Sequence, residues 1–251
     1  MTLGLVNPGR CSAADLAHWR VLRAKDRLYA KQRDHLARVA QARRAVEHFL
    51  ASGMPCYAGV SWGKDSTVLA HLVAGTGIPL VWVRVEPLYN PDCLLVRDEF
   101  LRQHPGAVYH EVVVNAERGP DGLWAGTGRL EEGFRQAQSR FGARYLSGVR
   151  GQESLARRAR MNILGIESKN TCVPLGHWTA ADVYAYLCVN DLPVHTAYGC
   201  TMGGKLDRDW LRVATLGGER GTEQGRRSWE FHYYPEDMRR IFSGYDHVSG
   251  R

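Results

Sequence analysis

The sequence predicts an α/β fold: a parallel, Rossmann-like sheet with helices on both faces. Three observations predict it. Short apolar runs at residues 56–60, 79–85, 110–114 and 144–148 are largely uninterrupted by polar residues, as in strands buried on both faces. Segments with helical spacing fill the gaps, at 65–74, 92–103 and 130–141. The first strand runs directly into a glycine-containing turn and then a helix, and a parallel sheet binds ligands at that kind of turn.

Taken in order, residues 12–52 read as a helical hairpin. Ser12 is a natural N-cap, with Asp15 as its capping-box partner. Leu16, Trp19, Leu22, Leu36, Val39, Val46 and Phe49 fall largely on one stripe. Residues 20–44 are rich in arginine and lysine, which suits a solvated face or a docking surface for an acidic partner or nucleic acid. Gly75 and Gly77 end the helix after the first strand. Thr179 caps a helix over 180–187, with Asp182 at its third position. Residues 199–225 are glycine-rich and read as a long loop or lid, in which Arg220, Arg226 and Arg227 either close over phosphates or form a surface loop. Pro235 opens a last short helix. The organisation expected is an N-terminal helical extension (1–52), a nucleotide-binding domain (53–200) and a C-terminal lid-like segment with a short helix (201–251).

The 251 residues suffice for a full core, and 44% hydrophobic with 24% charged residues is ordinary for a soluble protein. The net charge of +7 favours an anionic partner. The apolar runs fall well short of the ~20 residues of a membrane span, and no basic segment precedes an apolar one at the N-terminus. A cytoplasmic protein with no membrane partner is expected. The six cysteines form no C-x-x-C pair and read as free thiols.

The chemistry concentrates in Ser61, Trp62, Gly63, Lys64, Asp65 and Ser66, between the first strand and its helix. Unpaired amides and the positive end of the helix dipole make such a turn receptive to an anion. Gly63 allows backbone geometry that a β-carbon blocks, and Ser61 and Ser66 add hydroxyl donors. Lys64 brings positive charge to a phosphate transition state. Asp65 is the candidate magnesium ligand, directly or through water. The spacing fits neither a Walker A loop nor G-x-G-x-x-G.

This turn resembles the S-G-G-x-D-S signature of the PP-loop ATP pyrophosphatases, with Trp62 in place of the first glycine. Two further segments resemble the phosphoadenosine phosphosulfate (PAPS) reductase-like branch of that superfamily, the adenine nucleotide alpha hydrolases. Residues 146–158, LSGVRGQESLARR, are close to G-x-R-x-x-E-S-x-x-R, and residues 174–184, PLGHWTAADVY, resemble P-L-x-x-W-T-x-x-D-V-W. The resemblance implies an ATP site formed by the loop with Val83 and Gly148, catalytic roles for Lys64, Arg150 and Arg157, and magnesium as the accompanying ion. It implies cleavage of ATP between the α and β phosphates. The chain has no E-C-G-L-H tail and no cysteine after Cys200, which disfavours sulfonucleotide reduction. Small basic members without that tail resemble the ATP-pyrophosphatase component of DNA phosphorothioation systems, which implies DNA as substrate and a cysteine desulfurase as sulfur donor. Cys93, Cys172 and Cys200 are the candidate sulfur relays by loop placement. The alternatives are a sulfurylase-like small-molecule adenylyltransferase and a nucleotide-sensing or DNA-binding module.

Overall fold

Seven strands occur in chain order: β1 (Cys56–Val60), β2 (Leu80–Glu86), β3 (Tyr109–Asn115), β4 (Glu117–Arg118), β5 (Trp124–Ala125), β6 (Arg144–Ser147) and β7 (Thr171–Cys172). Nine helices accompany them: α1 (Ala13–Tyr29), α2 (Arg33–Leu50), α3 (Lys64–Val73), α4 (Asp92–Gln103), α5 (Thr127–Phe141), α6 (Leu155–Leu164), α7 (Ala180–Val189), α8 (Arg226–Tyr233) and α9 (Pro235–Phe242). The coordinates are a computed structural model, and they describe residues 4–118, 124–125, 127–211, 213, 216–217 and 226–242. Counts and absences refer to these residues.

The main sheet has five strands in the order β3-β2-β1-β6-β7, and every pairing in it is parallel. The predicted Rossmann-like α/β fold is therefore the observed one. From β1 the chain first builds outward through β2 and β3, then returns to build the other side through β6 and β7. The carboxyl end of β1 is the point where that order reverses, and ligands in open α/β sheets bind at such a point. Residues 61–66 leave the sheet there.

The large core packs α3, α4, α7 and the N-terminal helices over one face of the sheet. On the other face α5 covers β2 and β3, around Tyr57, Val81, Val112 and Ala137. The N-terminal helices share the main core. Trp19 of α1 meets Tyr184 of α7 edge to face at 6.4 Å, and Arg208 forms a buried ion pair with Asp26. Arg144 ties the end of α2 to the sheet: its guanidinium donates to the carbonyls of Phe49 and Lys169, each at 3.0 Å. Phe49 is thus an orphan C-terminal carbonyl of α2 that β6 satisfies.

Both predicted capping boxes form, at Ser12 with Asp15 and at Thr179 with Asp182. The helical hairpin breaks between Tyr29 and Arg33. Leu36, read as part of the apolar stripe, is exposed. Of the basic run, Arg20, Lys25, Lys31, Arg33, Arg43 and Arg44 are exposed, whereas Arg23 is buried and Arg38 turns to Asp182. The edge strand β7 and the β4–β5 hairpin have no counterpart in the sequence reading; each strand is only two residues long, too short to show a period. Arg220 lies outside the described residues. Arg226 and Arg227 belong to α8 rather than to a loop: Arg226 pairs with Glu230 at 2.9 Å, and Arg227 stacks on the Phe242 ring. No described helix is long and apolar enough to cross a membrane.

Candidate nucleotide site

The loop closes on itself before any ligand is considered. The Ser61 amide donates to Ser66 Oγ at 3.1 Å, and Ser66 Oγ and Thr67 Oγ1 each donate to the Gly63 carbonyl at 3.0 Å. Gly63 is the N-cap of α3 and offers no capping side chain, so the helix begins without one. The Lys64 amide donates to the Tyr198 hydroxyl at 3.2 Å, which fixes the loop from outside the motif. The uncapped positive end of α3 is the anion-receptive feature of the site.

Two glycines set how closely the walls approach. A β-carbon on Gly63 meets Val213 at 2.9 Å and the Tyr198 hydroxyl at 3.2 Å. A β-carbon on Gly148, just past β6, meets the Asp65 carbonyl group at 3.0 Å and the Ser66 nitrogen at 3.2 Å. Those partners are backbone in the first turn of α3 and have little room to yield. Gly148→Ala is therefore expected to push the end of β6 away from the loop, at a cost of about 1–3 kcal/mol. Gly106→Ala, where a β-carbon meets nothing within 4 Å, is the control and should leave stability within about 0.5 kcal/mol. Thermal melts of the two variants check this.

Asp65 organises the charge. Its Oδ2 lies 3.1 Å from Lys64 Nζ, and its Oδ1 accepts from Arg150 Nε at 2.5 Å. Lys64 and Arg150 are both nearly buried. Burial pulls the Lys64 pKa down, but Tyr198 and Asp65 outweigh it, so the net shift is upward and the ammonium is secure. Its Nζ also sits 5.0 Å from the Tyr198 ring centroid, a cation–π distance. Arg150 Nη1 donates to Gln152 Oε1 at 2.8 Å, and that oxygen also receives the Ala180 amide at 2.7 Å. Arg150 is thereby tied to the first turn of α7.

Both Asp65 oxygens already face cations, and no group of three His, Cys, Asp or Glu side chains among the described residues is arranged to hold a metal. In this geometry Asp65 positions Lys64 and Arg150.

A cavity of about 710 Å³ opens beside the loop and runs under α5. Of the residues expected at a nucleotide site, Ser61, Asp65, Ser66, Val83, Gly148 and Arg157 line it, and Trp62, Gly63, Lys64 and Arg150 do not. Its apolar wall, with Tyr57, Trp82, Tyr145 and Phe134, suits a flat base, while its polar end meets the loop. Trp62 departs from expectation. Its φ of 60° is left-handed, at the position where the signature has glycine. That backbone turns the indole away from the cavity into the core, fully buried against Phe100 and Tyr109 at 5.4 and 5.6 Å. The ring therefore neither shapes nor narrows the cavity. Arg157 is half exposed and paired with Glu153, and Arg150 faces Asp65 rather than the cavity.

The cysteines separate clearly. Cys93 lines the cavity, and burial, with Asp92 adding to it, pushes its thiol strongly up, so it is a neutral thiol. Cys172 is buried and its pKa is pushed up to about 12, mainly by burial. Cys200 lies 3.8 Å from Cys11, away from the cavity; hydrogen bonding between them raises Cys200 and lowers Cys11. The sequence reading gave no site role to three contributors, Tyr198, Gln152 and Val213. Tyr198 and Gln152 fall inside the resembling segments or just beyond them, but nothing in their spacing marks their contacts.

Comparison with known proteins gives the family. The fold is similar to the crystal structure of phosphoadenylyl-sulfate reductase from Candida auris in its phosphate complex, with a TM-score of 0.50 and 18% identity over 62% of this chain and 82% of that one. A weaker likeness, with a TM-score of 0.43 and 14% identity over 85% of this chain and 81% of the other, is to the U34-tRNA thiolase NcsA from Methanococcus maripaludis with its iron–sulfur cluster. No curated protein matches the sequence. Residues 55–222, more than half of the chain, match the phosphoadenosine phosphosulfate reductase domain, and the chain belongs to that family.

Proposed function

We propose that the chain is an ATP pyrophosphatase that activates a substrate oxygen for replacement by sulfur, with a DNA backbone phosphate as the substrate. One observation carries the reading: an uncapped helix start at the sheet's switch point, with two buried cations, Lys64 and Arg150, gathered on Asp65 beside it. In this reading the triphosphate occupies the polar end of the cavity and the base its apolar wall. Magnesium, when present, arrives with ATP and offsets phosphate charge. Lys64 and Arg150 neutralise charge that builds on the α- and β-phosphate oxygens, and Arg157 reaches the phosphates from the rim. A non-bridging oxygen of the DNA phosphate attacks the α-phosphorus and pyrophosphate leaves. The terminal sulfur of a persulfide on a cysteine desulfurase then attacks the activated DNA phosphorus and displaces AMP, and a second thiol breaks the remaining S–S bond, which leaves the phosphorothioate and a disulfide. The net charge of +7 and the exposed basic face of α1 and α2 favour a polyanionic substrate.

The test is mass spectrometry of nucleotide products from ATP with a panel of acceptors, including duplex DNA and sulfate. AMP and pyrophosphate formed only with DNA support the reading in full. Release with a small acceptor supports the adenylyltransferase and rejects DNA. ATP binding without release under any condition rejects the enzyme and leaves a nucleotide-sensing module.

A further inference from the structure

Helix α6 stands almost entirely in solvent. Met161 is its one buried residue. At about 100° per residue, Leu155, Ala156, Ala159 and Ile163 gather within one sector, and Met161 lies on the opposite side. The outward face is therefore the apolar one, which inverts the usual amphipathic arrangement. Leu155 is 80% exposed and Ile163 79%. Arg158 flanks the stripe on one side and Arg160 on the other; both are exposed. From Ser154 to Ile166 there is no acidic residue, and Glu153 is already paired with Arg157.

An exposed aliphatic stripe rimmed by arginine marks an interaction surface. We infer that the outward face of α6 docks a partner protein through an amphipathic helix whose apolar face is flanked by acidic side chains. Charge selects that occupant. A second copy of this chain would set α6 against α6, bringing arginines to arginines with no acidic partner in the helix. Nucleic acid satisfies the arginines but leaves the aliphatic stripe wet, and α6 has no aromatic side chain on which a base stacks. An acidic amphipathic helix satisfies both features. Arg157, on the Met161 side of the helix, lines the cavity, so the outward face stays free for the partner. The inference does not depend on which acceptor the site uses.

Fluorescence anisotropy tests it. The probes are a labelled amphipathic helical peptide with leucines on one face and glutamates flanking them, the same peptide with lysines in place of the glutamates, and a labelled DNA duplex. The protein is expected to bind the glutamate peptide about tenfold or more tighter than the lysine peptide. Leu155→Ser with Ile163→Ser should weaken that binding about tenfold, and Arg158→Glu with Arg160→Glu should reverse the preference between the peptides. All four positions are exposed, and unchanged melting curves confirm that the variants fold. Failure to bind either peptide overturns the inference. So does duplex binding that the arginine variant loses and the aliphatic variant keeps, which marks a nucleic-acid surface. Concentration-dependent dimerisation abolished by the aliphatic variant overturns it in favour of self-association.

Discussion

Replacing Lys64 with alanine is expected to lower pyrophosphate release at saturating ATP by about 10²–10³-fold, the usual loss when one preorganised donor to a developing anion is removed. The reasoning starts from placement. Lys64 opens α3 and is almost completely buried, so its charge acts in a site of low effective dielectric. Tyr198 and Asp65 hold the ammonium charged, and the same two partners restrict where it points. Removing it leaves Asp65 to Arg150 alone, which draws that guanidinium more firmly onto the carboxylate. Lys64→Ala thus removes one cation and immobilises the other. Asp65→Asn separates the two effects: it keeps both cations and loosens their anchor, so its loss of rate should be smaller. Stopped assays for pyrophosphate on the three proteins, with ATP binding measured beside them, decide the matter. A Lys64→Ala enzyme within threefold of the parent rate would exclude a role for this cation at phosphorus.

The sequence made the sheet legible because each of its longer strands is an apolar run bounded by turn residues. Cys56–Val60 was readable to the residue. Strand order was not readable: nothing in the runs at β2 and β6 says that both flank β1. The loop was legible because its residue types are unusual together, but the direction of one side chain was not. At Trp62 a left-handed backbone sends the indole into the core, and the chain gives no local sign of that φ. Arg150 shows the same limit. Its proximity to the loop followed from the strand end before it, yet its partner Asp65 lies far along the chain. Asp92 opens α4. In the fold it is buried and held by Arg10 and Tyr234, joining the N-terminal segment to α9's approach. Long-range polar pairs of this kind leave no period, so only coordinates reveal them.

Asp182→Ala is expected to cost about 3–5 kcal/mol of stability, the range for removing one member of a buried ionic network. Asp182 is fully buried at the third position of α7. Its Oδ2 accepts from the Thr179 amide and hydroxyl at 2.8 and 2.7 Å, closing the capping box. His35 Nδ1 lies 3.0 Å from Oδ1, and Arg38 Nε lies 3.0 Å from Oδ2. One carboxylate therefore caps α7 and fastens α2 to it. Burial alone would raise its pKa; hydrogen bonds from His35, Thr179 and Arg38 outweigh burial and hold it down to about 2. A depressed acid stabilises the fold above its unfolded pKa and loses that stabilisation as pH falls through the folded one. The parent should accordingly lose stability between about pH 4 and pH 2 more steeply than Asp182→Asn, which keeps the size of the side chain and cannot titrate. The effect reaches the nucleotide site by a short route. The Ala180 amide, in the turn that Asp182 caps, holds Gln152 Oε1, and Gln152 holds Arg150. A frayed α7 frees Gln152 and releases Arg150 from its orientation beside Asp65. Asp182→Ala should then raise the apparent Kd for ATP even at temperatures where the protein remains folded, whereas Arg38→Ala, which loosens the hold of α2 on Asp182 but leaves the Thr179–Asp182 capping box in place, should lower the melting temperature and leave that Kd unchanged. Calorimetric titration of the two variants well below their melting points tests the coupling, and equal Kd values in both would break the proposed link between α7's cap and Arg150.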